Sequence, residues 1–164
     1  MSLVEEIYIT ARGGAPMNPV SAVEAIAGRG LAGDRYLLRT GYWTSVDECQ
    51  VTLIEAEALD EIRASTPIHV SNGEHRRNII TRGIELSDLA GKRFSIGGAV
   101  LEYDRPRPPC RYIGSITEHG MTKALGKRRG GICARVIETG MITVGDTIQM
   151  SEEPAAARFR FWGR

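Results

Sequence analysis

Cys110 has the sequence surroundings best suited to chemistry in this chain. It lies in the segment Arg105-Pro106-Arg107-Pro108-Pro109-Cys110-Arg111. The prolines stiffen this segment and remove backbone donors, so we expect the cysteine on a rigid and exposed loop. Neighbouring arginines favour the thiolate over the thiol, and the thiolate is both the nucleophile and the metal ligand in cysteine chemistry. The segment therefore predicts a reactive or metal-binding sulfur at position 110.

The other two cysteines have different surroundings. Cys133 lies in the apolar run 132–137, which is typical of a small buried hydrophobe, and Cys49 fits the same interpretation. An odd number of cysteines does not suit a disulfide framework. We therefore expect reduced thiols and a cytoplasmic protein.

Two further basic clusters suit an anionic ligand. Arg76-Arg77-Asn78 opens a strand-like run, and Lys127-Arg128-Arg129 precedes two glycines. Guanidinium groups match phosphate oxygens, and an asparagine amide offers both a donor and an acceptor to the edge of a heterocycle. Because the net charge is only +1, we expect a small anion rather than nucleic acid as the ligand. Each cluster taken alone is also consistent with solvated surface charge.

Several common kinds of site are not predicted. His69, His75 and His119 have no zinc spacing with a cysteine or with one another, and no Walker loop or nucleophile elbow is present. The glycines of 28–33 have dinucleotide-binding spacing, but no long helix pattern follows them. No run approaches the ~18 apolar residues that a membrane helix needs, so we expect no membrane partner.

Strands are expected to position most of these residues. Runs rich in β-branched residues and bounded by turn residues predict strands at 4–10, 17–26, 51–54, 78–81, 93–96, 99–103, 132–138 and 142–150. Apolar spacing predicts a helix at 55–64. Residues 86–91 suit a single helical turn or a tight loop, and 121–125 suit a short helix. Gly97-Gly98 predicts a two-residue hairpin turn. The pattern favours one mostly β domain with short helices, a sandwich or barrel, over 1–150. Residues 151–164 are interpreted as a tail that packs loosely on the domain or on a neighbouring subunit, in preference to a membrane or nucleic-acid anchor, because one short basic-aromatic run binds such surfaces weakly.

Five segments along the chain together resemble the MOSC domain family, the module found at the C-terminus of molybdenum cofactor sulfurases. They are 30–36, 77–91, 106–110, 130–136 and 140–146. Each segment is weakly informative by itself, whereas the ordered set is fairly specific and extends the resemblance from residue 4 to residue 150. The resemblance implies a MOSC-type β-barrel and a protein that binds molybdenum cofactor (molybdopterin) or carries its sulfur.

The resemblance also assigns roles to particular residues. Cys110 would be the catalytic residue, as the molybdenum ligand or as the bearer of a persulfide. The residues that would hold the pterin and its phosphate are Arg35, Arg76 or Arg77, and Asn78. Arg12 is a weaker match, because related members have a lysine-serine pair where this chain has Ala11-Arg12-Gly13. The family is also described as binding pyridoxal phosphate, which we do not expect because nothing marks a Schiff-base lysine.

Three functions remain open at this point. The first is a molybdenum-dependent oxidoreductase that acts on a small-molecule substrate and receives electrons from a separate protein. The second is a sulfur carrier that accepts a persulfide on Cys110 from a sulfur-donor protein. The third is a non-catalytic interaction module, which would leave Cys110 with an ordinary thiol pKa of about 8.5. Exposed strand edges and the aromatic tail are compatible with a homodimer.

Overall fold

The computed structural model describes residues 1–42 and 48–154, which fold into eleven strands and four short α-helices. The strands are β1 (Leu3–Ile9), β2 (Asn18–Val20), β3 (Ala22–Ile26), β4 (Gly30–Leu31), β5 (Val51–Glu55), β6 (Ile79–Arg82), β7 (Lys92–Ile96), β8 (Ala99–Pro106), β9 (Ile132–Glu138), β10 (Gly140–Thr143) and β11 (Ile148–Pro154). The helices are α1 (Arg35–Leu38), α2 (Ala56–Ser65), α3 (Arg111–Ile116) and α4 (Met121–Ala124), with a 3-10 turn at Leu86–Leu89. The predicted mostly β fold with short helices is confirmed.

Eight of these strands form one sheet and three form a second. The larger sheet has the order β11-β7-β8-β9-β5-β6-β1-β2, and the smaller has the order β10-β3-β4. Of the strand pairs in the described residues, only β5 and β6 are parallel, and α2 makes the crossover between them. The predicted hairpin is also found, since Ile96 of β7 lies opposite Ala99 of β8 across the two glycines.

The larger sheet curls until the start of β1 meets the chain just before β11. Leu3 and Thr147 form an isolated bridge, and the Val4 amide donates to the Asp146 carbonyl at 2.9 Å. The Ile148 amide donates to the Ser2 carbonyl at 3.0 Å. Within the described residues this seam is a bridge rather than a strand pair, so the expected barrel is a strongly curled sheet that is not closed by a continuous ladder.

The central strands are buried on both faces because two hydrophobic clusters lie on opposite sides of the larger sheet. Leu53 and Ile79 point into the cluster between the two sheets, whereas their neighbours Ile54 and Ile80 point into the cluster beneath the helices. Side chains in a strand alternate between faces, so wholly apolar runs are required here.

Two predicted strands are each divided in the structure. The 17–26 run becomes β2 and β3, with Pro19 inside β2. Because β2 is the last strand of its sheet, one side has no neighbour to bond, and a proline is tolerated there. The 142–150 run is divided at Gly145, which has φ 94°, and its halves join different sheets.

The final part of the chain was predicted as a tail over 151–164. Residues 151–154 belong to β11, and residues 155–164 lie outside the described residues. Among the helices that the structure describes, none has the length and apolar composition to cross a membrane.

Candidate functional site

One cavity of about 550 Å³ gathers most of the residues singled out in the sequence. Its wall contains Cys110 together with Arg35, Arg76 and Arg77. The other described residues that line it are Gly13, Tyr36, Gly41, Tyr42, Glu48, Arg105, Pro106, Arg107, Pro108, Pro109, Tyr112, Ile113 and Ile116. The described lining residues thus include five arginines and only one carboxylate, that of Glu48. This excess of positive charge favours an anionic ligand.

The loop that carries Cys110 is fixed at both ends. At its start the Arg107 amide donates to the Gly131 carbonyl at 2.8 Å, which extends the β8–β9 pairing beyond Pro106. At its end the Cys110 carbonyl accepts from the Thr122 hydroxyl at 3.0 Å and from the Ile113 amide at 3.2 Å, where α3 begins. The Cys110 side chain is half-buried. The expected rigid loop is thus built from prolines and anchored by hydrogen bonds.

Arg77 is a buried cation on the wall of this cavity. Arg77 is only 5% exposed. Its Nε donates to the Gly130 carbonyl at 2.7 Å, and its Nη2 donates to the Arg107 carbonyl at 3.3 Å. No carboxylate pairs with it in the part of the chain that the structure describes. Burial lowers the pKa of Arg77 to about 10. Because a buried charge without a directly paired counter-ion is costly, an anion bound in the cavity would stabilise this arrangement.

Arg76 reaches the same cavity because its backbone is kinked. Its φ of 68° lies in the left-handed region, which costs roughly 1 kcal/mol or more for a residue with a side chain. Successive residues of an extended strand would face opposite sides, whereas this kink turns both arginines toward the cavity. The Arg76 guanidinium donates to the Ala15 carbonyl, and the Arg76 carbonyl accepts from Arg35 at 2.9 Å. These contacts hold the strained conformation in place.

Arg35 organises the wall of the cavity through several internal contacts. Its Nη1 lies 3.1 Å from Asp34 Oδ1, and its Nη2 donates to Tyr36 Oη at 3.2 Å. The guanidinium also stacks on the Tyr36 ring, 4.3 Å from its centroid. Tyr36 Oη accepts a second bond from Arg107 at 3.4 Å, and burial raises the pKa of Tyr36. The Tyr36 phenol is therefore neutral and connects two arginines of the cavity.

Asn78 and Arg12, which the resemblance also singled out, do not line this cavity. Arg12 is exposed on the loop after β1. Asn78 is fully buried, and its Oδ1 accepts from the Thr52 amide at 3.0 Å and the Thr52 hydroxyl at 3.1 Å. Its Nδ2 donates to the Tyr8 carbonyl at 3.1 Å and to Asp34 Oδ1 at 3.2 Å. This amide connects three elements directly behind the arginines.

Replacing Asn78 with leucine is expected to lower the free energy of unfolding by about 3 kcal/mol, because buried partners lose their hydrogen bonds without access to water. Urea denaturation measures this change. Asn18→Leu, on the exposed edge strand β2, is the matched control and should change the stability little. A similar loss in both variants would show that Asn78 has no special positioning role.

His75 is a buried neutral base beside the arginine pair. Its Nδ1 accepts from the Arg77 amide at 2.9 Å, and its Nε2 has no hydrogen-bond partner among the described residues. The Tyr8 ring meets it edge-on, with centroids 5.7 Å apart. Burial, followed by the charge of Arg77, lowers the pKa of His75 to about 3. A charged imidazole here would lie against cations, so the neutral form is required.

Acid is therefore expected to destabilise the fold through His75. Between pH 6.5 and 3 the unfolded histidine binds a proton that the folded one excludes, so stability falls by about 1.4 kcal/mol for each pH unit below 6.5. The His75→Asn variant keeps an acceptor for the Arg77 amide. Its midpoint of urea unfolding should change less than that of the wild type between pH 7 and pH 5. His119→Asn, at an exposed position, should leave the slope unchanged. An equal slope in wild type and His75→Asn would contradict the assignment.

The remaining basic cluster lies on the other side of the proline loop. Lys127, Arg128 and Arg129 line a separate cavity of about 720 Å³, which shares Pro106 to Pro109 with the Cys110 cavity. Arg129 pairs with Glu61 at 3.1 Å. The proline loop thus divides two basic cavities, and Cys110 lines only the first of them.

Two features of the site escaped the sequence argument. Cys49 and Cys133, both correctly expected to be buried, place their sulfurs 2.9 Å apart behind the cavity wall. Tyr42 and Tyr112 stack at 3.8 Å and form a flat aromatic wall. Neither pair has a local signal, because the partners come from distant segments. By contrast, a local signal does place Arg105 and Arg107 together, because residues two apart on an extended segment lie on the same side. Both line the cavity.

Comparisons with known proteins agree with this architecture. A solved structure with the same fold is the YUAD protein from Bacillus subtilis, with a TM-score of 0.72 and 19% identity over 93% of this chain and 98% of that chain. YiiM from Geobacillus stearothermophilus has a TM-score of 0.71 and 17% identity over 96% of this chain and 78% of its own. YiiM from Escherichia coli has a TM-score of 0.65 and 17% identity over 92% of this chain and 70% of its own. A search of curated proteins gives no match. The model of the MOSC domain family matches residues 40–149. Because this match covers more than half of the chain, the protein belongs to the MOSC domain family.

Proposed function

We propose that the protein binds molybdenum cofactor in the Cys110 cavity and acts as an oxidoreductase in which the Cys110 thiolate is the molybdenum ligand. The observation that carries this proposal is the buried Arg77 guanidinium, which faces the cavity of Cys110 without a carboxylate partner in the described residues. A cysteine sulfur, which as the thiolate is a soft metal ligand, and a buried guanidinium without a carboxylate partner in the described residues line one cavity. Together they would suit a ligand that has both a metal and a phosphate.

The donor set in the cavity fits such a cofactor. Guanidinium groups of Arg76 and Arg77 suit a phosphate, and the stacked Tyr42 and Tyr112 rings offer a flat surface for a heterocycle. The volume of the Cys110 cavity, about 550 Å³, lies within the range of small-molecule sites. When bound, the cofactor supplies a redox-active metal, and a separate electron-donor protein supplies the electrons.

The chain's own residues bind and orient the ligand in this proposal. Arg77, which has no carboxylate partner in the described residues, would pair with the phosphate. Tyr36 keeps its proton and holds Arg35 and Arg107 at fixed positions. The Cys110 thiol would lose its proton on binding the metal, because only the thiolate is a ligand. Membership of the MOSC family supports the same assignment.

The test is metal and pterin analysis of the full chain produced in a host that makes molybdenum cofactor. We expect molybdenum and pterin in equal amounts, retained through gel filtration. An absence of both, with Cys110 intact and reduced by mass spectrometry, would reject the proposal. Protein from a host that lacks the cofactor pathway provides the baseline.

A second candidate is a sulfur carrier. Among the three cysteines only Cys110 is more than marginally exposed, since Cys49 is 5% exposed and Cys133 is fully buried. A sulfur-donor protein could therefore reach Cys110, whose thiolate would accept sulfane sulfur from the donor's persulfide and leave the donor as a thiol. Mass spectrometry after incubation with a cysteine desulfurase and cysteine tests this function. Unchanged mass at Cys110 would rule it out.

A further inference from the structure

Two cysteines outside the proposed metal site form a close pair. The Cys49 thiol donates to the Cys133 sulfur at 2.9 Å, and neither residue is bonded in a disulfide. Cys133 lies on β9, opposite Thr52 of β5 and Arg105 of β8, and is fully buried. Cys49 lies just before β5. The pairing of β5 with β9 therefore brings the two sulfurs together.

The charges around the pair favour a thiol beside a thiolate. Arg107 Nη1 lies 3.7 Å from the Cys133 sulfur. The hydrogen bond from Cys49, supported by Arg107 and Arg105 and opposed by burial, lowers the pKa of Cys133 to about 6. Burial and the neighbouring Cys133 raise the pKa of Cys49. At neutral pH one proton is therefore shared between two sulfurs.

The two sulfurs differ in access. Cys49 is 5% exposed and lines a cavity of about 290 Å³, whereas Cys133 lies behind it. The described residues around this cavity include Arg39, Gln50 and Arg135. Hydrogen peroxide is small enough to enter such a space, and it would meet the Cys49 sulfur first.

We propose that Cys49 and Cys133 are a peroxide-reactive dithiol that closes to an intramolecular disulfide. In the first step the Cys49 thiol passes its proton to the Cys133 thiolate, the Cys49 sulfur attacks a peroxide oxygen, the O–O bond breaks, and the leaving hydroxide takes a proton from solvent to become water. Cys49 is then a sulfenic acid. In the second step the Cys133 sulfur attacks the Cys49 sulfur, the S–S bond forms, the S–O bond breaks, and a second water leaves. Overall the pair loses two electrons and its one shared proton, solvent supplies one further proton, and one peroxide becomes two waters.

This inference is independent of cofactor binding, because it does not use Cys110. The third cysteine thus serves as an internal reference. In the Cys110→Ala variant we expect the same disulfide to form at the same rate. A strong dependence of the reaction on Cys110 would mean that oxidation begins at the other site, and it would overturn the proposal.

The experiment treats the reduced, folded full chain with hydrogen peroxide and then alkylates the remaining thiols. Before alkylation we expect an intact mass that is lower by two hydrogens than that of the reduced chain. After alkylation and digestion we expect one alkylated cysteine, Cys110, and a peptide pair in which a disulfide joins Cys49 to Cys133. Dithiothreitol should restore three free thiols. In Cys133→Ala, which removes the proton acceptor, dimedone should trap a sulfenic acid on Cys49 that forms more slowly than the disulfide forms in the wild type.

Other outcomes would overturn the proposal. They are a disulfide that includes Cys110, alkylation of both Cys49 and Cys133 after peroxide treatment, or a Cys49–Cys133 bond that forms only in urea. The wild-type peptide map decides between these results even if the Cys133→Ala variant fails to fold.

Discussion

Replacing Arg77 with methionine is expected to lower the affinity for molybdenum cofactor about 100-fold, since two charge-assisted hydrogen bonds to a phosphate contribute roughly 3 kcal/mol. Methionine fills a similar volume but brings no charge into the cavity. Protein purified from a cofactor-producing host should then lose its molybdenum and pterin during gel filtration. The metal content per chain is the measurement.

Two further variants sharpen this prediction. Arg77→Lys keeps the charge but loses the planar donor geometry, so it should retain an intermediate amount of cofactor. Arg12→Met removes an exposed arginine outside the cavity and should retain the wild-type amount. Wild-type molybdenum content in Arg77→Met would show that this buried cation does not hold the ligand. Circular dichroism of each variant confirms that the comparison is made on folded protein.

Gly131→Ala is expected to lower the free energy of unfolding by about 4 kcal/mol, which is more than we expect for Asn78→Leu. Gly131 has φ 86°, and an added Cβ would lie only 2.0 Å from the Leu53 carbonyl oxygen of β5. Both the backbone conformation and the close approach of β5 therefore exclude a side chain. The Gly131 carbonyl also accepts from the Arg107 amide, so the proline loop should loosen as well. Urea denaturation and the thiol reactivity of Cys110 measure the two effects.

Gly91→Ala separates these two causes. Gly91 has φ 74° but no atom within 4 Å of an added Cβ, so it should lose only about 1 kcal/mol from backbone strain. If both variants lost the same stability, the approach of β5 to Gly131 would contribute nothing. A smaller loss in Gly91→Ala would assign the difference to the contact with Leu53.

The strands could be predicted from the sequence because their signals are local. The β9 strand has the predicted bounds Ile132–Glu138, and the Gly97-Gly98 turn joins β7 and β8 as expected. Helix α3 could not be predicted, since Gly114 and the β-branched Ile113 and Ile116 are poor helix formers. Ile113 packs under the helices in the core, so tertiary contacts stabilise this helix despite its composition.

The candidate site was predicted in part, and largely through the family resemblance. Cys110 and Arg77 line the same cavity, although α1, the start of β6 and the proline loop had to converge for this to happen. That convergence depends on sheet pairing, which local patterns do not encode. Asn78 has the polar chemistry expected of a ligand contact but uses it to join β1, β5 and the segment before α1. The Cys49–Cys133 pair joins residues 84 positions apart, so only tertiary structure identifies it.

The Leu3–Thr147 bridge has a consequence for how the protein folds. The early strand β1 can pair with β2 and β6 as soon as those have left the ribosome, but its seam with residues 145–148 needs segments from far along the chain. Contacts between such distant segments carry a large loop-closure entropy and slow the folding of a domain. During synthesis this flank of β1 stays open until the last strands emerge, and a nascent chain would be most prone to aggregation there.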